Sequence, residues 1–201
     1  MPWSKNFDVD EALLRAEETF WSKGYDATSM RDLLAAMGIQ KGSFYDTYGS
    51  KHEAFIAALR CYAKRSLGAL GDMGSGLSPR QALAAMFEYI TEDCTGPDRE
   101  RGCMLINCAL ELAPRDPEAQ KMVQKGFKRH EALMRTWIVE GQAIGEIEPD
   151  IDASAVAKAM LGLIMGMRVH ARAGSGKATI KTLADQAMGL LGASRVTGPK
   201  D

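Results

Sequence analysis

The chain has 201 residues, 46% of them hydrophobic and 25% charged, with a formal net charge of −1. That length and apolar content suffice for a buried core and one or two small domains. The near-neutral balance excludes a polyanion binder that works by bulk charge. The first sixty residues are no exception, with seven Lys/Arg against nine Asp/Glu, so any nucleic-acid contact has to come from a local basic face.

Alanine (28), leucine (18) and methionine (12) outnumber isoleucine (10) and valine (6), a balance that favours helices over strands. Prolines at 2, 79, 97, 114, 117, 149 and 199 fall between apolar-periodic segments or at their starts, as punctuation of an all-helical chain. Residues 1–7 carry no pattern. Asp8 with Glu11 reads as a capping box opening a helix whose Val9, Ala12, Leu13, Ala16 and Phe20 recur at helical spacing, and Gly24 stops it. Thr28 or Ser29 can cap a second helix with Met30, Leu33, Leu34 and Met37 as its buried stripe. Gly38 supplies a tight turn, and a third, short helix runs over 40–47. "SKHE" at 50–53 reads as another capping box, opening a helix to about residue 70, and "GDMGSGLS" is a flexible break.

Ser78-Pro79 then starts a helix with Leu83, Met86, Phe87 and Ile90 inward. Residues 103–112 form another, and Asp116-Pro117 opens a long one to about 143 in which Gly126 is a possible break. Two more are expected over 153–173 and 177–191.

Two short helices joined by a glycine turn and braced by a longer one describe a helix-turn-helix, whose second helix enters the DNA major groove. Gln40, Lys41 and Ser43 are donors at the start of that helix, Gly42 allows close approach, and the Tyr45 hydroxyl can reach phosphate. Lys51 sits in the first turn of the next helix, and Thr28 and Ser29 hold the equivalent place on the helix before. Phe44 reads as core. Tyr48 has two open readings, packing or phosphate contact, and His52 reads as a solvated surface residue.

Residues 24–55, "GYDATSMRDLLAAMGIQKGSFYDTYGSKHEAF", resemble the DNA-binding signature of the TetR/AcrR family of bacterial repressors without a gap. Tyr48 stands where Phe is usual and Thr47 where His or another aromatic is common, so Thr47 bears on one phosphate contact or base preference. The resemblance implies an all-α fold: a three-helix DNA-binding domain over 8–54, with its motif at about 29–48, and a larger effector-binding and dimerisation domain over 55–193. It also implies a homodimer on a double-stranded operator, released by a small-molecule effector.

The stretch "RGCMLINCALELAPRDPEAQ", 101–120, resembles a subgroup of the same family, some of whose members sense reactive small molecules through a cysteine. Cys103, Asn107 and Glu111 lie at i, i+4 and i+8 on one helix face; Asn107 and Glu111 meet either a ligand or a neighbouring helix. Cys103, after Arg99 and Arg101 at a helix start, is either a reactive thiolate or an inert thiol. Met86, Phe87, Met104, Met134, Trp137 and Met165 are candidates to line an adaptable apolar pocket, or else plain core. Val156, Met160, Leu163 and Met167, with Gly162 and Gly166, form one stripe of a candidate dimer surface. Ile180, Leu183, Ala187 and Leu190 form the other, giving a four-helix bundle from two subunits.

Cys61, Cys94, Cys103 and Cys108 lack the CxxC spacing of a zinc or redox site. No secretory or lipidation motif and no apolar run of about 18 residues is present, so a reduced, cytoplasmic protein with no membrane partner and no cofactor is expected. An enzyme built on Cys103, His130 and Glu111 and a protein-binding scaffold are the alternatives from other classes.

Overall fold

The computed structural model describes residues 7–192, and every described secondary-structure element is helical. The order is α1(Val9–Lys23), α2(Met30–Met37), α3(Lys41–Tyr48), α4(Lys51–Met73), α5(Pro79–Thr95), α6(Met104–Glu111), α7(Pro117–Ala143), α8(Ala153–Arg172) and α9(Lys177–Gly189), with a single 3-10 turn at Arg99–Arg101. Pro2, Pro199 and residue 193, the expected end of the second domain, lie outside the described residues.

The chain forms two compact units, which cut elsewhere than at the expected 54/55 boundary. One takes the described residues up to Arg65 together with Cys103–Gly126; the other takes Ser66–Gly102 and the described residues from Phe127 on. Helix α4 runs unbroken past residue 54, and α6 with the start of α7 joins the N-terminal helices.

In the first unit α1 begins at Asp8, whose carboxylate accepts the N–H groups of Asp10 and Glu11 at 2.9 and 3.1 Å. Glu11 turns instead to Arg15, 2.6 Å away. Ser29, not Thr28, caps α2. Its hydroxyl accepts the Asp32 N–H (3.1 Å), while Asp32 accepts the Ser29 N–H (3.0 Å), closing a capping box. The Ser29 hydroxyl and then Lys23 hold the Asp32 carboxyl well below the usual range. Gly38 adopts φ 68°, ψ 28°, and its N–H donates to the Leu34 carbonyl at 3.0 Å, so a left-handed residue ends α2 and turns the chain into α3. Phe20, Leu33, Met37, Phe44, Phe55 and Leu59 are buried around this turn. Glu17 is buried too, and its charge is met by the Arg65 guanidinium (Nη1, 3.0 Å).

Helix α7 is continuous through Gly126, so the break considered there does not occur. The glycine serves close packing: a Cβ would stand 2.8 Å from the Leu105 Cδ1.

The second unit buries Leu83, Met86, Phe87 and Ile90 of α5 among Met134, Trp137 and Ile138 of α7, Met160 and Met167 of α8, and Ile180 and Ala187 of α9. Its polar ties close the ends. The Arg80 guanidinium donates to the carbonyls of Glu146 (3.3 Å), Leu191 (3.4 Å) and Gly192 (2.9 Å), and Asp93 pairs with Arg168. The Gln142 amide donates to the carbonyls of Glu148 and Ile151 at 3.0 and 2.8 Å. Four residues expected at a dimer surface, Met160, Met167, Ile180 and Ala187, are instead consumed by this core, because their helix faces turn inward. Leu163, Leu183 and Leu190 keep exposed area. Among the described residues, no helix is long and apolar enough to cross a membrane.

Because Phe44 is fully buried while the adjacent Tyr45 is 42% exposed, the two substitutions separate. Phe44→Ala is expected to lower unfolding stability by about 3–5 kcal/mol in urea titration, and Tyr45→Ala by under about 1 kcal/mol.

Candidate nucleic-acid interface

Helix α3 has only eight residues, too short to be stable alone. It is pinned from one side. Phe44 packs edge-on against Tyr45 (centroids 5.5 Å) and tilted against Tyr48 (5.4 Å), and the Tyr48 hydroxyl donates to the Val9 carbonyl at 3.0 Å. Tyr48 is therefore a strut between α3 and the start of α1. This resolves its two open readings in favour of packing, and burial raises its pKa.

The opposite side of α3 is open. Gln40, Lys41, Gly42 and Tyr45 are exposed; Ser43 and Thr47 are half-buried. At the N-terminus Gln40 makes no side-chain cap, in contrast to Asp8 on α1 and Ser29 on α2. The first-turn N–H groups of a helix have no intrahelical partner and attract anions. Lys41 adds a cation there, so the end of α3 presents donors, positive charge and little bulk.

Ser29 is exposed at the start of α2, at the opposite end of that helix from the glycine hinge. Thr28 is not available. It is fully buried, and its hydroxyl donates to the Gly24 carbonyl at 2.5 Å, so the expected phosphate contact is corrected to an internal one. Lys51, in the first turn of α4, lies with Nζ 4.4 Å above the Tyr25 ring centroid, a cation–π contact that orients the ammonium.

What sequence reasoning missed is the frame behind this face. The Glu111 carboxylate accepts the backbone N–H groups of Tyr25 (3.0 Å) and Asp26 (2.8 Å), and a Cβ on Gly24 would come within 2.9 Å of it. Gly24 itself has φ 85°, which only glycine adopts freely. Arg115 pairs with Asp26, and His52 Nε2 lies 2.6 Å from the Asp116 carboxylate, so His52 is a paired residue and not a solvated one. Asp116 also caps α7, accepting the N–H groups of Ala119 (2.8 Å) and Glu118 (3.0 Å). Those bonds, the Ala119 one foremost, and His52 lower its pKa against the effect of burial. Complementary charges 64 to 89 positions apart leave no periodic signal in one sequence.

The candidate effector residues divide between the units. Cys103, Met104, Asn107 and Glu111 belong to the first, and Met86, Phe87, Met134, Trp137 and Met165 to the second. Met86, Phe87, Met134 and Trp137 meet in one core cluster, and Met165 is half-buried. The Glu111 carboxylate is engaged by two backbone donors, one on each oxygen. Cys103 is half-buried at the N-cap of α6; Cys94 and Cys108 are buried. Desolvation first, then the charges of Glu111 and Asp116, push the Cys108 thiol up to about 12, and burial likewise raises Cys61.

Removing the carboxylate with Glu111→Ala is expected to speed hydrogen exchange at the Tyr25 and Asp26 amides by at least about tenfold, read by NMR. The depressed pKa of Asp116 gives stability that is full above the ordinary carboxylate range and lost as pH falls through the folded value. In urea titrations, Asp116→Asn is expected to be less stable than the parent at neutral pH, the gap closing below about pH 4.

Residues 12–69 match the family described as "Bacterial regulatory proteins, tetR family", and residues 79–186 match "Tetracyclin repressor-like, C-terminal domain". The chain is 32% identical over 157 residues to YezE of Bacillus subtilis (strain 168), an uncharacterized HTH-type transcriptional regulator, covering 77% of this chain and 81% of that one. It is 32% identical over 174 residues to the HTH-type transcriptional repressor ComR of Escherichia coli (strain K12), covering 85% and 82%. Among solved structures it is similar to a cysteine mutant of the TetR family transcriptional regulator CifR complexed with 26-base-pair double-strand operator DNA. There the TM-score is 0.81 and the identity 26%, over 92% of this chain and 97% of that one. The fold is also that of the reduced form of E. coli NemR (TM-score 0.82, 18% identity, covering 94% and 100%). With its exposed α3 and buried Phe44, the chain belongs to the TetR family of helix-turn-helix, DNA-binding transcriptional regulators.

Proposed function

We propose that this protein is a dimeric repressor that binds a near-palindromic operator and is released by a small-molecule effector. The observation that carries the reading is the two-sided α3: Phe44 and Tyr48 fix it from behind, and Gln40, Lys41, Gly42, Ser43 and Tyr45 stand at its open N-terminal side. Such a helix fits a major groove with its first turn toward base edges and phosphates. Lys51, Ser29 and Thr47 flank it as backbone contacts. The operator complex of CifR and the repressor ComR support this reading by relationship.

Two α3 helices reach successive major grooves when they stand about 34 Å apart. A dimer built on the outward parts of α8 and α9, where Leu163, Leu183, Leu190 and Val169 keep exposed area, supplies the second copy. The effector acts by favouring a state in which that spacing is wrong, and α4 carries the change. Its site draws on the Met- and Trp-rich interior of the second unit, because methionine re-packs around different apolar ligands.

A second reading keeps the DNA role and places the trigger at Cys103. This thiol is half-exposed and stands at the N-cap of α6, the helix whose last residue is Glu111. Oxidation or alkylation there would act two turns from the hold on Tyr25 and Asp26.

Gel-shift titration against the DNA upstream of its gene is expected to show saturable, salt-sensitive binding. Lys41→Ala and Lys51→Ala should each reduce the slope of log affinity against log salt by about 1. Binding that is absent or salt-insensitive would refute the DNA role. Cys103→Ser separates the two triggers: a variant that still responds to the native effector excludes the thiol.

A further inference from the structure

We propose that Asp46 selects cytosine at one position in each half-site of the operator, an inference that rests on α3 being the helix in the major groove. Successive residues of a helix turn by about 100°, so Asp46 lies about 200° round from Phe44. Phe44 is fully buried, which puts Asp46 in the middle of the open face. One turn earlier stands Gly42, with no heavy atom within 4 Å of where its Cβ would be. Asp46 is itself exposed, and the missing side chain at Gly42 lets the helix surface one turn away sit close to a groove floor.

Among the described residues the carboxylate of Asp46 makes no ion pair or hydrogen bond, in contrast to those of Asp26, Asp32 and Asp116 of the same unit. The positions three and four residues away on α3 and beyond are Gly42, Ser43, Gly49 and Ser50, so no cation one turn away neutralises it. A carboxylate at the centre of a DNA-facing surface is repelled by phosphate and has acceptors only. It is tolerated where it meets a donor.

The major-groove edges narrow the choice. Guanine offers two acceptors, and thymine offers O4 and a methyl group; both are unfavourable opposite a carboxylate. Adenine offers the N6 donor beside the N7 acceptor, while cytosine offers the N4 donor with no acceptor on its own edge. Cytosine is thus the base whose edge matches Asp46, and the other side chains of the open face, Lys41, Ser43 and Tyr45, are left to phosphates and other bases.

The test is selection from a randomised duplex library by the full-length protein and its Asp46→Asn and Asp46→Ala variants, read by sequencing. Wild type is expected to enrich a near-palindrome with cytosine at one symmetry-related position. Asp46→Ala should keep the site and lose that preference. Asp46→Asn should move it to adenine, because an amide pairs with N6 and N7 together. In direct titration, cytosine→thymine at that position should weaken wild type by about tenfold and Asp46→Ala by less than about twofold. An enriched site with the same base preferences in all three proteins, including one bound uniformly tighter by the variants, overturns the assignment alone. Failure of wild type to enrich any sequence overturns the DNA-binding reading beneath it and the assignment with it.

Discussion

The arrangement of the first unit depends on one carboxylate. Glu111 accepts two successive backbone N–H groups, those of Tyr25 and Asp26, from a residue 85 positions and more away in the chain. Hydrogen bonds to a charged acceptor are each worth about 1.5–3 kcal/mol, more than a neutral pair. They fix the loop between α1 and α2 where Gly24 has already turned it with a positive φ. Tyr25 then stands at a set height, edge-on to Phe55 (5.0 Å) and beneath Lys51 (4.4 Å). The partners around it are weaker. Arg115 and Asp26 are both more than half exposed, and such pairs contribute little on their own.

Helix α3 inherits its position from this frame and not from its own propensity. Its sequence, KGSFYDTY, includes a glycine and three aromatic residues, a poor helix in isolation. What holds it is tertiary: Phe44 in the core, Tyr48 bonded to Val9, and Gly38 as the left-handed hinge. The face left over is mostly polar because every aromatic side chain of α3 except Tyr45 has been used behind it. Its N-terminal donors stay unclaimed because Gln40 does not cap them. Local stability and ligand readiness are therefore set by opposite sides of one short helix.

The second unit works differently. Its core mixes methionine, phenylalanine and tryptophan, and its chain ends are tied by Arg80 and Gln142 reaching backbone carbonyls. Four thiols are spread over both units, and burial places three of them in surroundings that disfavour a thiolate or exclude reagents. Cys103 differs from the others by standing at the start of a helix whose far end is Glu111.

The helices and the hinge were legible in the sequence because their signals are local: apolar spacing of 3.6 residues, Ser29 and Asp8 as caps, Gly38 before a polar helix start. The exposed donors of α3 were legible for the same reason. Periodicity, however, gives only the direction of a side chain relative to its own helix. It placed Thr28 beside DNA, where the fold buries it, and Met160, Met167, Ile180 and Ala187 at a partner, where the fold packs them inside. It left Gly126 as a possible break, where close contact with Leu105 explains the glycine. The contacts of Glu111, Asp116 and Arg115 with residues 25, 26 and 52 were decided by tertiary structure alone, since nothing local in a chain specifies which distant backbone N–H a carboxylate will meet.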